Sequence, residues 1–489
     1  MRFKRRKSRK NKQRESPHNN AGAVFAVGGY GCVFRPPINS AKFKVKIESQ
    51  PYITKLLTKE EAKIEMDEVK KILPIVNKIK GYKSHFLLDD VFLAKSGEFG
   101  PLTLQDKGNF NSDCRIFTTK DGPITEDNIN ERLSELGAIY IPDGGISFGE
   151  VMTSATDYEV GLLTMGIIKV LKDAVVPMNT NGLIHGDLKG GNIVVVKDFA
   201  STPRIPDIKI IDWGLATIIP TLTGQIHDFM GELPIMYNRP FSSIILNRLT
   251  SEVIEDCNRD IRFGNLKALA IRLLQESHKE LGAGQTDFIN RIFAKIVIPL
   301  HTPEGLDEYN LGSACINLAM LSVDYVVEYI ASVIENFMGF NADTKKYYFD
   351  ENRYFYEVYR YNCDIWGLLS SYIYHILNAD AKKFRSSGVS QKITQILFKY
   401  CYSTKYAAIK ISVADLEKDL RELVDITGFT DFVVQSSTAT PKGAAAESSP
   451  GSRKSPGSRS PYHRFGIATK PSGPSWVPSD DERSLSSNE

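Results

Sequence analysis

The sequence predicts an α+β fold of two lobes, a small strand-rich N-terminal lobe followed by a large, mainly helical C-terminal lobe. Three observations carry this expectation. Residues 21–145 hold short β-like runs broken by Gly and Pro. Beyond residue 150 the apolar spacing turns helical. Two short apolar runs, NIVVVK and IKIID, interrupt those helices between residues 192 and 212.

Composition sets the frame. A chain of 489 residues makes about two to four compact units at ~100–200 residues each. A hydrophobic fraction of 42% and a charged fraction of 24% are ordinary for a globular protein, and a chain this long can bury the core of a sizeable enzyme. The net charge of +3 hides an asymmetry, because Arg2 to Arg14 is strongly basic with no acidic residue. Residues 1–20 are therefore read as a disordered basic tail. It is either simply solvated or an arm for nuclear import, nucleic acid or an anionic surface. From Gln435 the composition turns to Ser, Pro, Gly, Lys and Arg, so residues 433–489 are read as a disordered tail that cannot bury enough apolar area to offset its ordering entropy.

The six cysteines are scattered and form no CxxC or His/Cys cluster. That pattern argues against a zinc site or a disulfide framework, and favours reduced thiols in the cytoplasm or nucleus. No apolar leader opens the chain. The most apolar helical stretch, Leu311 to Ile334, carries Asp324 and Glu328 and falls short of the ~20 apolar residues a bilayer needs, so no membrane span is expected.

Ala23 to Phe34 places two apolar arms around a glycine cluster and reads as a hairpin. Pro51 to Leu57 reads as a strand. Thr58 is placed as the N-cap of a helix running to Ile79, with Glu60 and Glu61 in its first turn. Leu136 to Ile141 reads as a strand stopped by Pro142. Thr156 to Val176 is a periodic apolar helix, and the chain to about Phe432 is mostly helical.

The chemistry concentrates in HGDLKGGN, His185 to Asn192, and IIDWG, Ile210 to Gly214. Phosphoryl transfer needs a carboxylate to orient or deprotonate an attacking hydroxyl, an Asp oxygen for Mg²⁺ and one further oxygen ligand. An Asp, a following Asn and an Asp at the end of the next strand meet that list. These residues resemble the protein kinase superfamily of the Ser/Thr type, and in shape the chain is similar to the divergent kinases of large nucleocytoplasmic DNA viruses. The resemblance covers about residues 22–432 in scattered blocks.

The resemblance implies a bilobal protein-kinase-like fold, with the N-lobe and hinge at residues 21–145 and the C-lobe at 146–432. It implies ATP and Mg²⁺ as nucleotide and metal, and a protein substrate with a Ser or Thr acceptor. An intracellular setting is expected, cytoplasm or nucleus, which would be the host cell if the chain is viral, with the virion open as a further location. Asp187 matches the loop Asp that accepts the hydroxyl proton, Lys189 the loop lysine beside the γ-phosphate, and Asn192 and Asp212 the Mg²⁺ ligands. His185 matches a structural histidine. The phosphate-covering loop is Ala26, Val27, Gly28, Gly29, Tyr30, Gly31 and Val33, with Ala26 where the first glycine usually stands. Lys55 matches the lysine on the α/β-phosphates. Its helix partner is expected to be Glu65, with Glu68 as the alternative. Ile141 to Gly145 resembles the hinge whose backbone reads adenine, and Ile139 falls near the gatekeeper position. Tyr237 to Ser243 resembles the end of an activation segment. In Tyr361 to Leu369, Asp364 is expected to accept backbone N–H bonds from the catalytic loop, with Trp366 packed beneath.

Several positions depart from the family pattern. Gly186 stands where an arginine commonly pairs with a phosphorylated activation segment, which implies activity independent of that phosphorylation. Trp213 replaces Phe in the metal-binding motif, and the glutamate usual after Pro240 is absent. About residues 246–355 read as a helical insertion ahead of the helix that carries Asp364. The competing readings are a pseudokinase scaffold and a small-molecule kinase of the aminoglycoside-phosphotransferase type.

Overall fold

In the computed structural model, strands rich in β-branched and apolar residues build a five-stranded antiparallel sheet at the N-terminal end. Its strands are β1 (Ala23–Val27), β2 (Gly31–Arg35), β3 (Tyr52–Thr58), β4 (Phe92–Ala94) and β5 (Leu136–Pro142), in the order β1-β2-β3-β5-β4. The structure describes residues 23–27, 31–108, 110, 114, 117–196, 205–219, 226, 230, 232–258, 265–301, 311–378 and 387–429. The chain divides into two units, 1–430 and 431–489, and every described residue belongs to the first. The tails expected at 1–20 and 433–489 lie outside the described residues.

The long connection between β2 and β3 holds a short helix, α1 (Lys44–Ser49). Helix α2 (Lys59–Val76) follows β3 directly. Thr58 caps it by accepting from the Glu61 backbone N–H at 3.3 Å, and Glu60 and Glu61 sit in the first turn, where acidic groups complement the helix dipole. The helix ends at Val76, one turn before the expected Ile79.

A mainly helical region follows. Helix α3 (Asp157–Val170) opens with a capping box between Thr156 and Glu159 and continues through a π-turn at Leu171–Val175 into Val176–Thr180. The strand β7 (Ile193–Val195) pairs antiparallel with β8 (Ile208–Ile210) on one side and β6 (Ile146–Ser147) on the other. The apolar core is divided: one cluster lies beneath the N-terminal sheet around Phe34, Tyr52 and Tyr140, a small one joins Leu57, Ala62, Met66 and Ile139 between the sheet and α2, and a far larger one fills the helical region.

The stretch expected as a helical insertion contains α4 (Leu249–Asp256), α5 (Leu266–Leu281), α6 (Thr286–His301) and α7 (Leu311–Phe337). It also contains an antiparallel hairpin that the helical periodicity did not foretell, β9 (Met338–Asn341) with β10 (Lys346–Phe349). This stretch packs beneath α8 (Arg360–Ser370): the Tyr329 ring lies 5.6 Å from both Phe241 and Trp366. No helix among the described residues is long and apolar enough to cross a membrane.

One expectation is overturned. Cys32 and Cys114 form a disulfide, with Cα atoms 5.9 Å apart, so not all thiols are reduced. The partners are 82 residues apart in sequence, a spacing that carries no local signal. They meet because β2 turns Cys32 into the same apolar cluster that buries Phe110, Cys114 and Phe117. Cys257, Cys363 and Cys401 are free and buried.

Candidate functional site

Strand register assembles the first part of the site. Ala26 pairs with Val33, Val33 with Lys55, Lys55 with Ile139 and Ile139 with Leu93, so these residues form one row across the sheet. Cross-strand partners project from the same face, which puts Val33, Lys55 and Ile139 on one surface, with Gly31 and Ile141 two residues along their own strands on that same face. Val27 ends β1; Gly28, Gly29 and Tyr30 lie outside the described residues. Behind the row is a cavity lined in part by Glu65, Met66, Ile139, Ile141, Asp212 and Trp213.

Lys55 reaches from the sheet to two carboxylates. Its Nζ donates to Glu65 Oε2 at 2.7 Å and stands 3.9 Å from Asp212 Oδ1. Glu65 is thus the partner on α2, while Glu68 pairs with Lys71 at the surface. Burial acts against the charge on Lys55, but Glu65 and Asp212 outweigh it and hold its pKa above the ordinary lysine value. Burial is also the largest influence on Glu65 and pushes its carboxyl up, with Lys55 offsetting only part of that push.

Asp187 is the carboxylate of the loop that follows α3. Oδ2 accepts from Lys189 Nζ and from Asn192 Nδ2, each at 2.9 Å. Oδ1 accepts from Asn238 Nδ2 at 2.9 Å. Asn192 also donates to the Asp187 carbonyl at 2.8 Å, so its amide N is the atom turned toward Asp187. The end of β8 is joined to this loop, because the Ile211 N–H donates to the Asn192 carbonyl at 3.0 Å. Asp212, the next residue, has a φ of +64°, a left-handed conformation that is costly for a residue with a Cβ and tends to cluster at functional sites.

The loop is anchored from below by α8. Asp364 is almost fully buried and takes three hydrogen bonds: the His185 N–H at 2.9 Å, the Gly186 N–H at 2.8 Å and Asn179 Nδ2 at 2.7 Å. Those donors are what make a buried carboxylate tolerable. Gly367 lets α8 approach so closely, since a Cβ there would stand 2.5 Å from the Leu188 carbonyl oxygen. His185 is enclosed and uses both ring nitrogens, Nε2 toward the Ile211 carbonyl at 3.1 Å and Nδ1 accepting from the Asp187 N–H at 3.3 Å. That pattern requires the neutral ring, and burial accordingly lowers its pKa. Trp213 packs its ring 4.7 Å from His185 and 5.5 Å from Phe86.

Lys55, Glu65 and Asp212 thus form one group and Asp187, Lys189 and Asn192 another, joined through the Ile211–Asn192 backbone bond, with Ile139 in the same cross-strand row as Lys55. Four contributors were not foreseen. Asn238 holds the Asp187 carboxylate, Arg239 contacts the Gly186 carbonyl, Asn179 supports Asp364, and Arg35 bonds Asp143 Oδ1 at 2.6 Å and the Gly145 carbonyl at 2.7 Å, tying β2 to the end of β5. Asn238 and Arg239 stood inside the block Tyr237 to Ser243, but only Pro240 carried a family signal there.

Chemically, the arrangement offers a fixed carboxylate flanked by a lysine, a second carboxylate and an amide oxygen at adjoining strand ends, and a cation held between two carboxylates. No group of three His, Cys, Asp or Glu side chains able to hold a metal exists among the described residues. A Mg²⁺ ion bound through one Asp, one amide oxygen, substrate phosphates and water needs no such group, so Asp212 and Asn192 fit it. No protein-family model and no curated protein matches the chain.

Proposed function

We propose that this chain is an ATP- and Mg²⁺-dependent protein kinase acting on Ser and Thr hydroxyls, with its N-terminal sheet and helical region serving as the two lobes of a protein-kinase-like fold. The observation that carries the reading is the Lys55 ammonium, held between Glu65 of α2 and Asp212 at the end of β8. A strand lysine so placed is suited to bind phosphate oxygens at the mouth of a cleft.

In the proposed reaction the substrate hydroxyl oxygen bonds to the γ-phosphorus as the bond to the bridging ADP oxygen breaks, and the hydroxyl proton passes to the Asp187 carboxylate. Lys189 lies beside Asp187 and offsets the charge that develops on the transferred group. Lys55 positions the α- and β-phosphates, and Glu65 fixes Lys55. Asp212 and Asn192 would hold Mg²⁺, which would supply charge neutralisation of the phosphates when bound. Positioning and electrostatics supply most of the rate in this chemistry.

The test is transfer of labelled γ-phosphate from Mg-ATP to generic protein substrates, followed by phosphoamino-acid analysis. Label in phosphoserine and phosphothreonine is expected. ATP binding without transfer to any protein would favour a scaffold, and transfer only to a small aminoglycoside would favour a small-molecule kinase.

A further inference from the structure

The loop around Asp187, already held by Asp364 of α8, is gripped as well by two consecutive residues, Asn238 and Arg239. Asn238 is 1% exposed, and its Nδ2 donates to Asp187 Oδ1 at 2.9 Å and to the Leu188 carbonyl at 3.1 Å. Both partners are acceptors, so the amide orientation is fixed by chemistry. Among the described residues the Asn238 amide oxygen has no partner, so its NH₂ group decides the placement. Arg239 is 3% exposed, and its Nε donates to the Gly186 carbonyl. Asp364 holds the N–H of the same glycine. The residue before them is pinned too, with the Tyr237 carbonyl accepting from Trp366 Nε1 at 2.9 Å.

Gly186 is what admits the arginine. Its φ of +72° suits glycine, and a Cβ there would stand 2.8 Å from Arg239 Nη2 and 2.8 Å from the Leu215 carbonyl oxygen. A cation is thus supplied to the loop from position 239 rather than from position 186. The two oxygens of Asp187 also differ. Oδ2 has two donors, Lys189 and Asn192, whereas Oδ1 has Asn238 alone among the described residues. Removing Asn238 leaves Oδ1 without that donor and the carboxylate held at Oδ2 alone, about a last torsion whose well is broad.

We infer that Asn238 and Arg239 are positioning residues for the transfer step: together they clamp the 186–188 backbone and fix which oxygen of Asp187 faces the incoming hydroxyl. This rests on the kinase reading proposed above. A hydrogen bond to a charged group is worth ~1.5–3 kcal/mol, which converts to roughly a 10–100-fold loss in rate when it is removed.

The experiment measures kcat, KM for ATP and peptide, Mg-ATP affinity and melting temperature on the full chain. The proteins are wild type, Asn238→Ala, Asn238→Leu, Arg239→Met, Arg239→Lys and Asp187→Asn. Both Asn238 variants should lose kcat about 10–100-fold with KM for ATP within about twofold, the leucine failing although it refills the volume. Arg239→Lys, which keeps a donor, should recover most of what Arg239→Met loses. Asn238 variants with wild-type kcat beside an inactive Asp187→Asn would overturn the clamp and leave the kinase reading intact. A kcat loss that only tracks lost folding, with ATP binding lost alongside, would also overturn it by making the pair structural. A wild type that transfers no phosphate would instead overturn the kinase reading, and the clamp with it.

Discussion

Lys55 Nζ lies 2.7 Å from Glu65 Oε2 and 3.9 Å from Asp212 Oδ1, so one ammonium joins the sheet, α2 and the strand end beyond the loop of Asp187. Glu68, one turn further along α2, is engaged with Lys71 instead. The expected outcome is a selective one. Lys55→Met should lower kcat/KM by about 100-fold or more, and Glu65→Gln by about tenfold, because each removes part of a preorganised charge array. Glu68→Gln should stay within twofold. Steady-state kinetics on the three variants, at matched folding, checks this.

Phosphorylation of the segment after Asp212 should not be required. Gly186 offers no side chain to a phosphate, and Arg239 is buried against the loop with its Nε on the Gly186 carbonyl. Thr217, Thr221 and Thr223 changed together to Ala should leave activity within about threefold of wild type, as should phosphatase treatment. Collapse of activity in the triple variant would contradict the expectation.

Two buried histidines should make the fold acid-sensitive. Burial lowers the pKa of His85, with Lys169 and Lys209 adding to the effect and Asp173 and Asp207 opposing it. Burial likewise lowers that of His185, against the carboxylates of Asp364, Asp187 and Asp212. A folded pKa below the unfolded value of about 6.5 means that the unfolded chain binds more protons, so stability is complete above pH 6.5 and falls below it. Each histidine contributes a slope of up to about 1.4 kcal/mol per pH unit. Melting temperature should drop from pH 7 to 5.5, and less steeply in His85→Asn.

The Cys32–Cys114 bridge closes a span of 82 residues beneath the sheet. Chain-entropy arguments assign a loop of that size about 4–5 kcal/mol. Cys32→Ser should lower the melting temperature by several degrees. Reductant should lower it in wild type and leave the variant unchanged, and mass spectrometry of alkylated protein reads the bond directly.

Much of this was legible in the sequence because it is encoded locally. Thr58 announces α2, the alternation in Tyr52–Thr58 makes a strand, and HGDLKGGN with IIDWG marks two strand-end loops. What escaped is set by tertiary contact. Nothing in the cysteine spacing joins Cys32 to Cys114, because the sheet's underside brings them together. Asn238 and Arg239 read as polar residues before a proline, and acquire meaning only when the chain returns to Asp187. The β9–β10 hairpin interrupts a helical stretch with four-residue strands, too short to register against the apolar period around them.

In the proposed reaction Asp187 takes the hydroxyl proton. The most direct measurement is phosphoryl transfer from Mg-ATP to a Ser/Thr protein substrate by the full chain and by Asp187→Asn, with nucleotide affinity measured on both. Expected are transfer by the wild type, a loss of at least about 100-fold in the variant, and ATP affinity within about threefold between the two. Equal transfer by both proteins, or none by the wild type despite tight Mg-ATP binding, would contradict it.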